Sequence, residues 1–104
     1  MERIQKLMDY LWKVMEHPDV SGFELLEYLD VRSRVALQEP LLNQSERKRV
    51  EEIDQRFLRN APRWLERILD VCDLAEMRHK SGALPSHWWW YLDEIIHERT
   101  KGYA

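Results

Sequence analysis

Apolar residues recur at intervals of three and four along most of the chain, the spacing that lines side chains up on one face of an α-helix, and no stretch shows the strict alternation of a half-buried strand. A first helix is expected over about residues 2 to 16, where Ile4, Leu7, Met8, Leu11, Val14 and Met15 form an amphipathic stripe and His17-Pro18-Asp19 ends it. The second opens with Ser21 and Glu24 in capping-box spacing and runs to about Gln38, before Pro40. Its Leu25, Leu26, Tyr28, Leu29, Val35, Ala36 and Leu37 cover roughly 200° of the circumference, against roughly 100° for a surface helix, so it is expected to be the most enclosed. The third, about residues 45 to 59, carries only Val50, Ile53 and Phe57 among charges paired four residues apart, and is expected to be the most exposed.

A fourth helix starts from Asn60 as N-cap with Pro62 in its first turn. Trp64, Leu65, Ile68, Leu69, Val71, Cys72 and Ala75 give it a broad apolar face, and Lys80-Ser81-Gly82 closes it. A fifth runs from Ser86 to about Arg99. It contains Trp88-Trp89-Trp90, three adjacent rings that fan over about 200° of a helix and cannot all enter one core. Trp88 and Trp89 share the apolar face with Leu92, Ile95 and Ile96. Trp90 falls beside Asp93, Glu94 and His97, either as a hydrophobic staple with Pro85 or as an exposed interface anchor of the kind enriched at binding hot spots. The fold expected is all-α: one domain, residues 1–104, built as a compact antiparallel bundle of four to five helices.

Composition narrows the function classes. At 104 residues, 44% hydrophobic and 34% charged, the chain has room for one core. A net charge of -3 with interspersed signs gives no field to attract nucleic acid, and the basic Ser45-Glu46-Arg47-Lys48-Arg49 is neutralised at once by Glu51 and Glu52. No apolar run approaches the roughly 20 residues of a membrane span, and the charged N-terminal segment does not read as a signal peptide. The one cysteine, Cys72, excludes an intramolecular disulfide and favours a reducing, cytoplasmic setting; inside an apolar stripe it reads as a packing group.

Two Glu-x-x-His sequences, Glu76–His79 and Glu94–His97, put carboxylate and imidazole on one helix face, as in dinuclear metal bundles. Glu94 and His97 fall on a polar face, however, and His79 lies in a last turn where an imidazolium gains from the helix dipole, so no metal is expected. A further pattern, Glu24-x-x-Glu27 followed by Glu51-x-x-Asp54, resembles the carboxylate arrangement of all-α nucleoside triphosphate pyrophosphohydrolases. The resemblance implies four carboxylates holding Mg²⁺ over a polyphosphate. The chain departs from that pattern after Asp54, where a short charged end replaces a long apolar helix.

Arg32 projects into the middle of the second helix's apolar arc. It must snorkel, meet a partner molecule, or pair with an acid, for which Asp70 and Asp73 are the candidates. The surplus of apolar and aromatic residues without a convergent polar constellation points to a non-enzymatic protein-interaction module, either a homodimer or a small regulatory subunit. Trp90, Tyr91, Arg32 and Tyr103 are its expected contacts. The alternative is the magnesium-dependent pyrophosphohydrolase built on Glu24, Glu27, Glu51 and Asp54.

Overall fold

In the computed structural model, which describes residues 3–101 (the side chains of Thr100 and Lys101 excepted), the helical periods become six α-helices. They are α1 (Ile4–Met15), α2 (Gly22–Leu37), α3 (Gln44–Arg59), α4 (Ala61–Leu69), α5 (Leu74–Ser81) and α6 (Leu92–Lys101), with 3₁₀ turns at Glu39–Leu41 and Trp88–Tyr91. Among the described residues there is no strand, and the fold is an all-α helical bundle. No helix among them is long and apolar enough to cross a membrane.

α2 is the central element, packed against α1 and α4, while α3 lies on α1 and α6 on α4. The expected Ser21 cap is present, its hydroxyl accepting the Glu24 amide at 3.2 Å. Buried Leu25, Tyr28, Leu29, Val31 and Val35 show why the apolar arc had to be wide: α2 has neighbours on two sides. The Tyr28 ring stacks on Phe57 with centroids 4.8 Å apart, which joins α2 to α3. α3 buries only Val50, Ile53 and Phe57, the stripe read from the sequence. It starts from a capping box between Asn43 and Glu46 that lies in the sequence as Asn-x-x-Glu. α5, with Leu74 its only buried residue, is at least as open.

Two expected elements are corrected. The fourth helix is interrupted after Leu69, because Asp73 turns its carboxylate back to accept the Glu76 amide at 3.2 Å and so caps a new helix, α5. The break directs Leu74 into the core and leaves Ala75 exposed. His79, expected on an apolar stripe, is exposed. Gly82 ends α5 at φ 65°, a left-handed conformation that glycine adopts without strain. Asn60 precedes α4 but makes no side-chain cap bond; the joint is held instead by the buried Trp64 indole, which donates to the Phe57 carbonyl at 3.1 Å.

The second correction concerns the tryptophans. The chain turns at Leu84–His87 and enters a 3₁₀ turn over Trp88–Tyr91, and the α-helix begins only at Leu92. Staple positions for Pro85 and Trp90 therefore do not exist. A 3₁₀ turn advances about 120° per residue, against about 100° in an α-helix, so a wheel drawn for the latter misplaces these rings. The turn also touches α2, α5 and α6 at once. Trp90, expected on the polar face, is 3% exposed, Trp89 is buried as expected, and Trp88, expected in the core, is only half-buried.

Gly22 marks the closest approach of α2 to α4. A Cβ there would fall on the Arg67 carbonyl oxygen and 2.6 Å from the Val71 Cγ2. Gly22→Ala is therefore expected to destabilise the chain by about 1 to 3 kcal/mol, since backbone has to move, despite the gain in helix propensity. Urea unfolding measures it, and an unchanged midpoint would show that the two helices are not this close.

Candidate functional site

Arg32 is 3% exposed. Its Nε and Nη2 donate to the two carboxylate oxygens of Asp54 on α3 at 2.8 and 2.9 Å, and Nη2 lies 3.5 Å from Glu39. The acids expected for it, Asp70 and Asp73, are not its partners; Asp73 is occupied as a cap. Burial works against the Arg32 cation, but the hydrogen bonds and charge of Asp54 outweigh it and hold its pKa above the ordinary value. Among the described residues Nη1 finds no acceptor and neither does the Tyr28 hydroxyl, and both atoms are sealed from solvent.

The guanidinium carbon sits 4.1 Å from the centre of a Trp89 ring, a cation–π contact in a desolvated place. Two indole N–H groups, of Trp89 and Trp90, donate to the same Ser33 Oγ, each at 3.0 Å. A hydroxyl oxygen has two lone pairs, so one serine on α2 satisfies both rings. Arg78 clamps the segment from α5, donating to the Trp90 carbonyl at 2.9 Å and to Asp93 at 2.8 Å, with its guanidinium 4.4 Å from the Tyr91 ring centre. Three consecutive tryptophans are thus divided: two are pinned to Ser33, and Trp88 is left at the edge.

Around that edge the surface opens. A cleft of about 620 Å³ lies between the end of α2 with its following 3₁₀ turn and the segment Leu84–Trp89. Arg32 and Asp54 line it with Glu39, and Leu37, Leu84 and Trp88 are among its apolar walls. Leu37 is 74% and Leu84 51% exposed, and Leu41, in the adjacent 3₁₀ turn, is 71% exposed. A smaller cavity of about 290 Å³, bounded by Leu42, Val50 and Glu51, shares Arg32, Glu39 and Asp54 with the cleft. A second groove of about 590 Å³ has Trp88, Tyr91 and Ile95 in its lining.

His87 stacks on Trp89 with centroids 4.7 Å apart. Burial, and then the charge of Arg32, lower its pKa from the ordinary 6.5, with Glu39 opposing. A histidine whose folded pKa lies below its unfolded one binds fewer protons in the native state. Its stability contribution is therefore present above the unfolded pKa and is lost as pH falls through it toward the folded pKa. Wild type is expected to lose more stability than His87→Gln between about pH 7.5 and 5.5, as chemical denaturation at the two pH values would show. Parallel losses would mean that the ring is free of Arg32.

The other sequence candidates do not meet. Tyr103 lies outside the described residues. Tyr91 lines the second groove, apart from Arg32. Of the carboxylates in the pyrophosphohydrolase-like pattern, Glu24 accepts from the Ser21 hydroxyl at 3.3 Å, and Asp54 is taken by Arg32. Glu27 accepts from Tyr10, whose pKa is pushed up to about 12 by burial and then by the charge and hydrogen bond of Glu27. Glu76 pairs with Lys80 at 2.9 Å, and Glu94 and His97 are exposed. Among the described residues no three His, Cys, Asp or Glu side chains are grouped to hold a metal ion. The cleft was not read from the sequence, although Leu37 was: it sat at the rim of the wide α2 arc, where the excess width is an outward face.

No family model, curated protein or solved structure matches this chain.

Proposed function

We propose that this chain is a non-enzymatic protein-interaction module, a small regulatory subunit or one half of a homodimer, that engages its partner through the cleft beside Arg32. The observation that carries the reading is that Leu37 and Leu84, from elements 47 residues apart in sequence (84 − 37), open into the same cavity while remaining largely exposed. Contiguous exposed apolar surface on a small folded chain is characteristic of interaction sites. The one half-buried cysteine fits a reducing, cytoplasmic setting. A photo-crosslinking residue placed at 37 or at 84 should capture protein from native cell extract in preference to one at Lys48, on the exposed face of α3. Equal capture at all three positions would remove the cleft as the interface.

The magnesium-dependent alternative gains nothing from the arrangement of Glu24, Glu27, Glu51 and Asp54, since three of the four are engaged by Ser21, Tyr10 and Arg32. No Mg²⁺-dependent release of pyrophosphate from a nucleoside triphosphate is expected in a coupled assay. Turnover abolished by Glu27→Gln, with the fold intact, would reverse this reading.

A further inference from the structure

We propose that the cleft receives a neutral or basic peptide segment of a partner protein, which sets one apolar side chain between Leu37 and Leu84. The proposal rests on the interaction reading and names the chemistry of the partner. A volume of about 620 Å³ suffices for a large side chain with its flanking backbone.

Charge selects the ligand. Arg32 is balanced by Asp54, Glu39 adds a second carboxylate to the same lining, and His87 is held toward its neutral form, so the cleft carries one negative charge in excess (+1 − 1 − 1). The guanidinium is accordingly not an anion clamp, because an incoming carboxylate would compete with Asp54 and face Glu39. A second copy of this chain is the poorer occupant, since its net charge of -3 would be brought to an acidic cleft.

The test uses short acetylated and amidated peptides with a central leucine flanked by lysines, by serines or by glutamates. Each is titrated into the full chain while nuclear magnetic resonance follows the indole N–H of Trp89 and Trp90 and the amides of residues 84–89. The lysine-flanked peptide should bind at least about tenfold more tightly than the glutamate-flanked one, a difference of about 1.4 kcal/mol. Leu37→Ser/Leu84→Ser, which alters only exposed side chains, should fold normally and lose the response.

The proposal is overturned if no peptide perturbs these signals or if glutamate flanks bind as well. It is equally overturned if the shifts fall on Tyr91 and Ile95, or if raising the protein concentration alone reproduces them, which would make a second copy the occupant. Crosslinking that stays concentrated at residues 37 and 84 while every peptide fails would spare the interface and reject only this partner chemistry.

Discussion

Replacing Trp90 by alanine is expected to lower the stability of the folded chain by about 3 to 5 kcal/mol, as much as replacing Trp89. The ring is 3% exposed, packed in a turn that touches α2, α5 and α6, and its truncation leaves a cavity that the helices around it cannot close without moving. Its indole also shares Ser33 with Trp89, so the loss removes one of two hydrogen bonds at that hydroxyl. Trp88→Ala, at a half-buried position, should cost clearly less. Chemical denaturation of the three variants orders them. A Trp90→Ala protein within about 1 kcal/mol of wild type would mean that the 3₁₀ turn does not seat this ring in the bundle.

Asp54→Ala should be comparably severe, about 3 to 5 kcal/mol, because it strands a buried guanidinium. Glu39 is half-exposed and 3.5 Å away, too distant and too wet to take over. The double replacement Arg32→Met with Asp54→Leu should recover most of the loss, since a buried ion pair replaced by apolar side chains of similar volume leaves no unpaired charge. Recovery in the double variant distinguishes a stranded charge from general damage to the core. If Asp54→Ala alone is tolerated, Arg32 has a route to water that the buried pair denies it.

The helical class, the stripes of α1 and α3 and the Ser21 cap were legible in the sequence because each depends on local period and on residues at most four apart. Two elements were not. Asp73 and Glu76 spell a helix start, yet they lie inside an apolar series that continues with helical spacing, and the cap decided the outcome. Around Trp88–Tyr91 the residues are good helix partners, and the 3₁₀ turn arises from contacts with Ser33 and Arg78, 57 and 12 residues from Trp90, which no local pattern contains. For the site, the sequence marked Arg32 as anomalous on its helix. Its acid is on α3, and that choice is made by how helices stack.

The two bonds to Ser33 close loops of 56 and 57 residues, whereas the Arg32–Asp54 pair spans 22. Closure entropy grows only slowly with loop length, but the longer contacts require that the intervening helices are already in place. As the chain emerges from the ribosome, Arg32 and Asp54 are therefore both outside before Trp89 has emerged to cover them. Until it does, α2 shows solvent both the ion pair and the apolar surface that the indoles later seal. The tryptophan segment thus acts as the last closure in synthesis order, and substitutions at Ser33 should be felt more as loss of soluble yield during expression than as faster unfolding of the finished protein.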